Sequence, residues 1–137
     1  MDRVLDAFAL LAWLQDERGA ELVESMLKRA AAGEQTLHIS SINAGEVYYR
    51  LIKVGKRKEA QQFLSDLRIG EIPLRRVTAT NGRVDAAAAL KAAHPISFAD
   101  AFAVALAQEL RAPLVTNDPE ITALYEQGIV QVVWVDS

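Results

Sequence analysis

The sequence contains no cysteine. A disulfide framework, a thiol nucleophile and a thiolate metal site are thereby excluded, and any bound metal has to be held by oxygen or imidazole. Histidine is almost as scarce: His38 and His94 are the two present, and both read as structural or surface residues. Long hydrophobic runs are missing as well. The apolar stretch 7–14 falls well short of the roughly 20 residues that a spanning helix needs. It follows Asp2, Arg3 and Asp6 without a signal-peptide cleavage pattern, so the expectation is a soluble, cytoplasmic chain with no membrane partner. Excess positive charge is lacking too. A formal net charge of −3 argues against broad electrostatic coating of nucleic acid, so contact with a polynucleotide would need a local basic patch.

What is present reads as one unit over residues 1–137, since 51% of the chain is apolar and this length holds one core rather than two. Strands are expected at 3–5, 36–39, 71–77, 113–116 and 129–135. Helices are expected at 7–15, 19–32, 58–67, 78–93 and 97–111, with another from a cap at Ser40 or Ser41 to a break at Gly55. A further short helix should start behind Asp118, because Pro119 suits the first helical position. Strands separated by helices pair in parallel through right-handed crossovers. The expected fold class is therefore α/β, a three-layer α/β/α sandwich around a parallel sheet of about five strands. Ligands of such sheets bind beyond the carboxyl ends of the strands, the edge that Asp6 and Asp118 occupy.

Four acids on this frame each have an ordinary structural reading. Asp6, between a strand and a helix, has the place of an N-cap. Asp118, within Asn117-Asp118-Pro119-Glu120, has the pattern of a helix start. Glu46 precedes Arg50 by four residues, the spacing of a helical ion pair, and Asp100 follows Ser97 at the capping-box distance. Asp100 is the most informative, because it is the only ionisable residue between His94 and Glu109. Phe98, Ala101, Phe102, Val104, Ala105 and Leu106 cover all sides of its helix, and a buried carboxylate needs a cation, a metal or strong hydrogen bonds. One shared divalent cation accounts for all four acids together, and oxygen ligands suit Mg²⁺ or Mn²⁺. Arg50, Lys53, Lys56, Arg57 and Lys58 form a basic cluster, either a phosphate-contacting patch or a solvated helix end around Gly55.

Asp6 in VLDAFALLAWL, Glu46 in SSINAGEVYYRL, Asp100 in ISFADAFAVALA and Asp118 in LVTNDPEI resemble, in order, spacing and context, the four acidic motifs of the PIN-domain nucleases. Within that family the compact chain is most similar to the VapC-type toxins of toxin–antitoxin modules. The resemblance covers nearly the whole chain and rests on the four motifs as a set. It implies a sheet ordered 3-2-1-4-5, one or two Mg²⁺ or Mn²⁺ ions, endoribonuclease action on RNA, a homodimer and an inhibitory antitoxin. It makes Asp6, Asp100 and Asp118 metal ligands, directly or through water, and Glu46 either a ligand or the acceptor of the nucleophile's proton. Ser97 and Thr116 match hydroxyl positions that support the acids, and Asn43 matches a third supporting position. Asn117 stands where glycine is frequent, and some members carry a further acid near the last motif, which leaves the metal count open. The antitoxin is expected to insert a cation among the acids and to cover apolar surface near Tyr48, Tyr49 and Phe63.

Rival readings meet specific obstacles. A receiver-like, Mg-binding signalling module would need an acidic pair after the first strand and a late lysine, yet Lys91 is the last lysine. A haloacid-dehalogenase-type phosphatase would need Asp-x-Asp, whereas Asp6 is followed by Ala7 and Phe8. A non-catalytic scaffold of the PIN fold stays open.

Overall fold

The computed structural model describes residues 1–135; Asp136 and Ser137, the end of the expected 1–137 unit, lie outside the described residues. Five strands, β1 (Asp2–Leu5), β2 (Thr36–Ser40), β3 (Arg75–Val77), β4 (Leu114–Thr116) and β5 (Val132–Trp134), form one sheet in the order β3-β2-β1-β4-β5. Every pairing is parallel: Val4 lies opposite His38 of β2 and Leu114 of β4, and Leu5 lies opposite Val115. The strand order matches the one implied by the resemblance.

Among the described residues seven helices flank the sheet: α1 (Ala7–Leu14), α2 (Ala20–Ala31), α3 (Ser41–Lys53), α4 (Arg57–Ile69), α5 (Asn81–Ala93), α6 (Phe98–Leu110) and α7 (Thr122–Glu126), with a 3₁₀ turn at Pro119–Ile121. Side chains alternate across a strand, so adjacent residues serve opposite layers. Leu5 and Val115 pack with Leu10, Val23, Val47 and Phe63 of α1 to α4. Val4 and Leu114 pack with Phe102, Val104 and Leu106 of α6, and with Ile121 and Leu124. Both faces of the sheet are thus covered, as a parallel sheet requires. No helix among the described residues is long and apolar enough to cross a membrane.

Helix starts follow local chemistry. Ser40, Thr80 and Ser97 cap α3, α5 and α6 by accepting from the backbone N–H groups of Ile42, Arg83 and Asp100. Of the two candidate serines for the α3 cap, Ser40 has the role. Gly19 precedes α2 with φ 96°, and a Cβ there would run into the side chain and carbonyl of Val135. Both the left-handed backbone and the close approach therefore require glycine.

The third strand is shorter than the expected 71–77. Pro73 has no N–H to give to a ladder, and the segment before β3 instead folds back, with Ile72 N donating to Asp66 O at 3.3 Å. Ile72 and Leu74 are buried nonetheless, while Arg76 is exposed and its Nε donates to Ser41 Oγ at 2.9 Å. The last strand is confined to Val132–Trp134, because its ladder among the described residues is the three-residue register with β4.

Candidate active site

The chain runs outward from β1 in one direction to β2 and β3, and in the other to β4 and β5, so the strand order reverses beside β1. Asp6 leaves the carboxyl end of β1 and Asp118 follows the end of β4, which puts them at adjoining strand ends. Asp100, on the first turn of α6, and Glu46, on the second turn of α3, come to the same edge because both helices pack there against each other and the central strands. All four carboxylates are buried: Asp6 is 2% exposed, Asp100 and Asp118 5%, and Glu46 9%.

The ordinary readings of three acids are all present in the geometry. Asp6 Oδ1 accepts from Ala9 N at 3.0 Å as the α1 N-cap, Asp118 Oδ1 accepts from Glu120 N at 2.9 Å, and Glu46 Oε2 accepts from Arg50 Nε at 3.1 Å. They do not account for the burial of four like charges at one edge. Asp100 keeps only half of its ordinary reading. Its backbone N–H donates to Ser97 Oγ at 3.0 Å, but its Oδ2 is buried and has no hydrogen-bond partner among the described residues. A capping-box side chain would reach back to the cap; this one is left without a donor, at a cost that burial makes large.

Asp100, Asp118 and Glu120 each bring a carboxylate oxygen within 4.8 Å of the others, the spacing that a cation can bridge. In the sequence Glu120 reads only as part of a helix start. The signal that could have found it is its place two residues after Asp118 across Pro119, which starts a 3₁₀ turn and returns the chain toward the site. Asp6 lies outside that triad but is coupled to it. Thr116 Oγ1 donates to Asp6 Oδ2 and accepts from Asp118 N at 2.9 Å, so one buried hydroxyl fixes both acids.

The electrostatics follow from this crowding. Burial pushes the Asp6 carboxyl up to about 7, and the charges of Asp118 and Glu46 add to the rise against the hydrogen bonds of Thr116 and Ala9. Burial also holds the Asp100 carboxyl well above the ordinary carboxylate range, reinforced by Asp118, Glu120 and Asp6. An all-oxygen donor set, mutual repulsion and an orphaned buried oxygen fit a hard divalent cation.

The supporting residues divide. Ser97 caps α6 at Asp100, and Asn43, 1% exposed, donates from Nδ2 to Ala99 O at 3.1 Å, tying α3 to the residue before Asp100. The basic cluster is split: Arg50 is at the site, whereas Lys53, Lys56, Arg57 and Lys58 occupy the far end of α3 and the start of α4. At 1.5 Å per residue, Lys53 is already about 10 Å along the helix from Glu46. Phe63 is 2% exposed in the core and cannot be part of a partner-covered surface; Tyr49 is 49% exposed.

The family model of the PIN domain matches residues 3–127, and the chain belongs to that family. Solved structures share the fold. A chain of the VapBC2 complex of Rickettsia felis, bound to a promoter DNA fragment, aligns with TM-score 0.72 at 19% identity over 98% of both chains. VapC20 of Mycobacterium tuberculosis, a toxin that cleaves the sarcin–ricin loop, aligns with TM-score 0.70 at 17% identity, over 88% of this chain and 93% of that one. A toxin–antitoxin complex from Klebsiella pneumoniae aligns with TM-score 0.65 at 20% identity, over 96% and 95%. No curated protein matches by sequence.

Proposed function

We propose that residues 1–137 form one Mg²⁺- or Mn²⁺-dependent endoribonuclease unit, the toxin of a toxin–antitoxin pair. The observation that carries this reading is the buried, unpartnered Oδ2 of Asp100 beside Asp118 and Glu120, within a family of nuclease-like sites. Asp100 and Asp118 are the principal ligands, with Asp6 adjoining them and Glu120 as an added one. When bound, such an ion lowers the pKa of water and offsets charge on the attacked phosphate.

The protein's own residues set the stage for that chemistry. Thr116 holds Asp6 and Asp118 in register through one hydroxyl. Burial raises the Asp6 carboxyl to about 7, so near neutrality it divides between its protonated and ionised forms, and a bound cation would favour the ionised one. Glu46, held at Oε2 by Arg50, stands beside Asp6 as a further ligand or as acceptor of the nucleophile's proton. A homodimer and an inhibitory antitoxin complete the proposal, on the likeness to toxin–antitoxin structures. The cytoplasm is the compartment where such a pair would meet RNA.

The deciding experiment incubates total RNA with the purified protein and Mn²⁺, with EDTA, and with Asp100→Asn. Cleavage confined to the parent protein with Mn²⁺ is expected; undiminished cleavage in EDTA would overturn the metal assignment, and intact RNA in every arm would leave a non-catalytic scaffold. Co-expression with the adjacent reading frame should yield an inhibited complex, and failure there removes the toxin role alone.

A further inference from the structure

Three of the four acids have a neighbour that lines one and the same cleft. Phe8 lies two residues after Asp6, Arg50 is bonded to Glu46, and Asn117 directly precedes Asp118; Leu11, Gln15 and Arg18 complete much of the wall. The cleft holds about 340 Å³. That is near the lower end of the about 300–1,000 Å³ typical of small-molecule sites, room for one mononucleotide-sized group.

Its chemistry is the opposite of the carboxylate cluster beside it. Four acids by themselves repel a phosphodiester, whereas Arg18 and Arg50 bring positive charge against a single lining acid, Glu17. The Arg50 guanidinium stands 5.5 Å from the centroid of the half-buried Phe8 ring and 5.9 Å from that of Tyr49, and its side chain remains 44% exposed. Ion pairing at Nε holds this guanidinium beside the Phe8 ring. Unpaired bases stack on aromatic rings and on guanidinium planes, and both are offered here at the lip of the site.

Three larger hollows fit less well, and the 530 Å³ one has three acids, Asp16, Glu17 and Glu21, and no aromatic ring in its wall among the described residues. The 580 Å³ cleft between α5 and α6 offers one ring, Phe102, that is itself only 4% exposed, and it is bordered by the Arg83–Glu109 ion pair. The 570 Å³ surface around Tyr125 and Trp134 meets the site only through Asn117 and Pro119, and its two rings already pack edge to face at 6.0 Å.

We infer that the Phe8–Arg50 cleft is a base subsite: it receives the unpaired nucleobase adjoining the scissile phosphate, stacked against the Phe8–Arg50 pair at the lip of the cleft, with Arg18 toward the backbone. This inference rests on the ribonuclease reading and names where its substrate is gripped.

The test reads binding without cleavage, in the Asp100→Asn background with Mn²⁺ present, using hexauridylate carrying one 2-aminopurine at each position in turn. Stacking should quench the 2-aminopurine at one position. Phe8→Leu should lower affinity by about 5- to 100-fold. An abasic residue at that position should cause a similar loss, and the two losses should not add. Phe8→Tyr should stay within about two-fold and guards against a folding defect, as should Tyr125→Leu. Absence of any quench, a Phe8→Leu affinity within two-fold of its parent, additive losses, or a loss that follows Tyr125→Leu instead would each overturn the subsite. Cleavage of total RNA by the parent protein is read separately, so a chain that stacks the base but leaves RNA intact supports the subsite and sinks the nuclease.

Discussion

Asp100 concentrates the conflict between stability and function in one side chain. Its oxygen lacks a donor, and its charge faces Asp118, Glu120 and Asp6. Asp100→Asn should therefore melt above the parent in EDTA, since asparagine is neutral without the cost of holding a proton on a carboxyl whose charge is disfavoured by burial and acidic neighbours. Mn²⁺ at about 100 times its Kd should add about 2.7 kcal/mol to the parent and much less to the variant, which has one ligand fewer. If Asp100 were only a helix cap, the variant would instead melt lower in EDTA and both proteins would respond equally little to Mn²⁺. The same residues set a pH dependence. Asp6 and Asp100 have folded pKa values above their unfolded ones, so between about 4 and 7 the native metal-free state binds more protons than the unfolded chain. Stability in EDTA should then fall as pH rises through that window and beyond, because deprotonation charges a buried cluster. Asp2, whose pKa is lowered by its hydrogen bond to His38, acts only below pH 4 and with the opposite sign. Urea midpoints in EDTA at pH 5, 6, 7 and 8 check this; a midpoint that climbs with pH would refute it.

At the scale of elements, two N-caps of equal chemistry serve different ends. Ser40 and Ser97 each accept one backbone N–H, so Ser40→Ala and Ser97→Ala should each cost about 1 kcal/mol. Ser97 receives the N–H of Asp100 itself, and its loss should also weaken Mn²⁺ binding, about ten-fold or more by the usual effect of groups that orient ligands. Calorimetric titration of the two variants separates capping from positioning; equal Mn²⁺ affinities would make Ser97 a cap alone. Gly19 joins the start of α2 to the end of β5, where a Cβ has no room beside Val135 and φ is 96°. Gly19→Ala should lower stability by about 2 kcal/mol or more, read as a shifted urea midpoint, while leaving the distant carboxylates and their metal affinity unchanged.

Across the whole molecule a net charge of −3 is distributed so that positive charge flanks a negative centre. Arg50 sits within the site, and Lys53, Lys56 and Lys58 extend along the end of α3 and the start of α4. If RNA runs along that path, neutralising all three lysines to glutamine should flatten the slope of log affinity against log salt by about 0.7 for each phosphate deprived of its cation. An unchanged slope would return them to a solvated helix end.

The layered α/β class, most helix starts and the acids at the strand ends were legible in the sequence, because capping residues, apolar periodicity and the alternation of strands with helices are local signals. The shortened β3 was not: Ile72 and Leu74 carry a strand-like pattern, yet Pro73 withholds a donor and the chain turns back on α4. Equally hidden were the membership of Glu120 in the carboxylate cluster, the division of Arg50 from its neighbouring lysines, and the burial of Phe63. Residue type and spacing determined which groups could carry chemistry. Only the packing of α3 and α6 against adjoining strand ends decided which of them meet, since approach between residues as far apart in the chain as Asp6 and Thr116 depends on the register of the sheet and on nothing local.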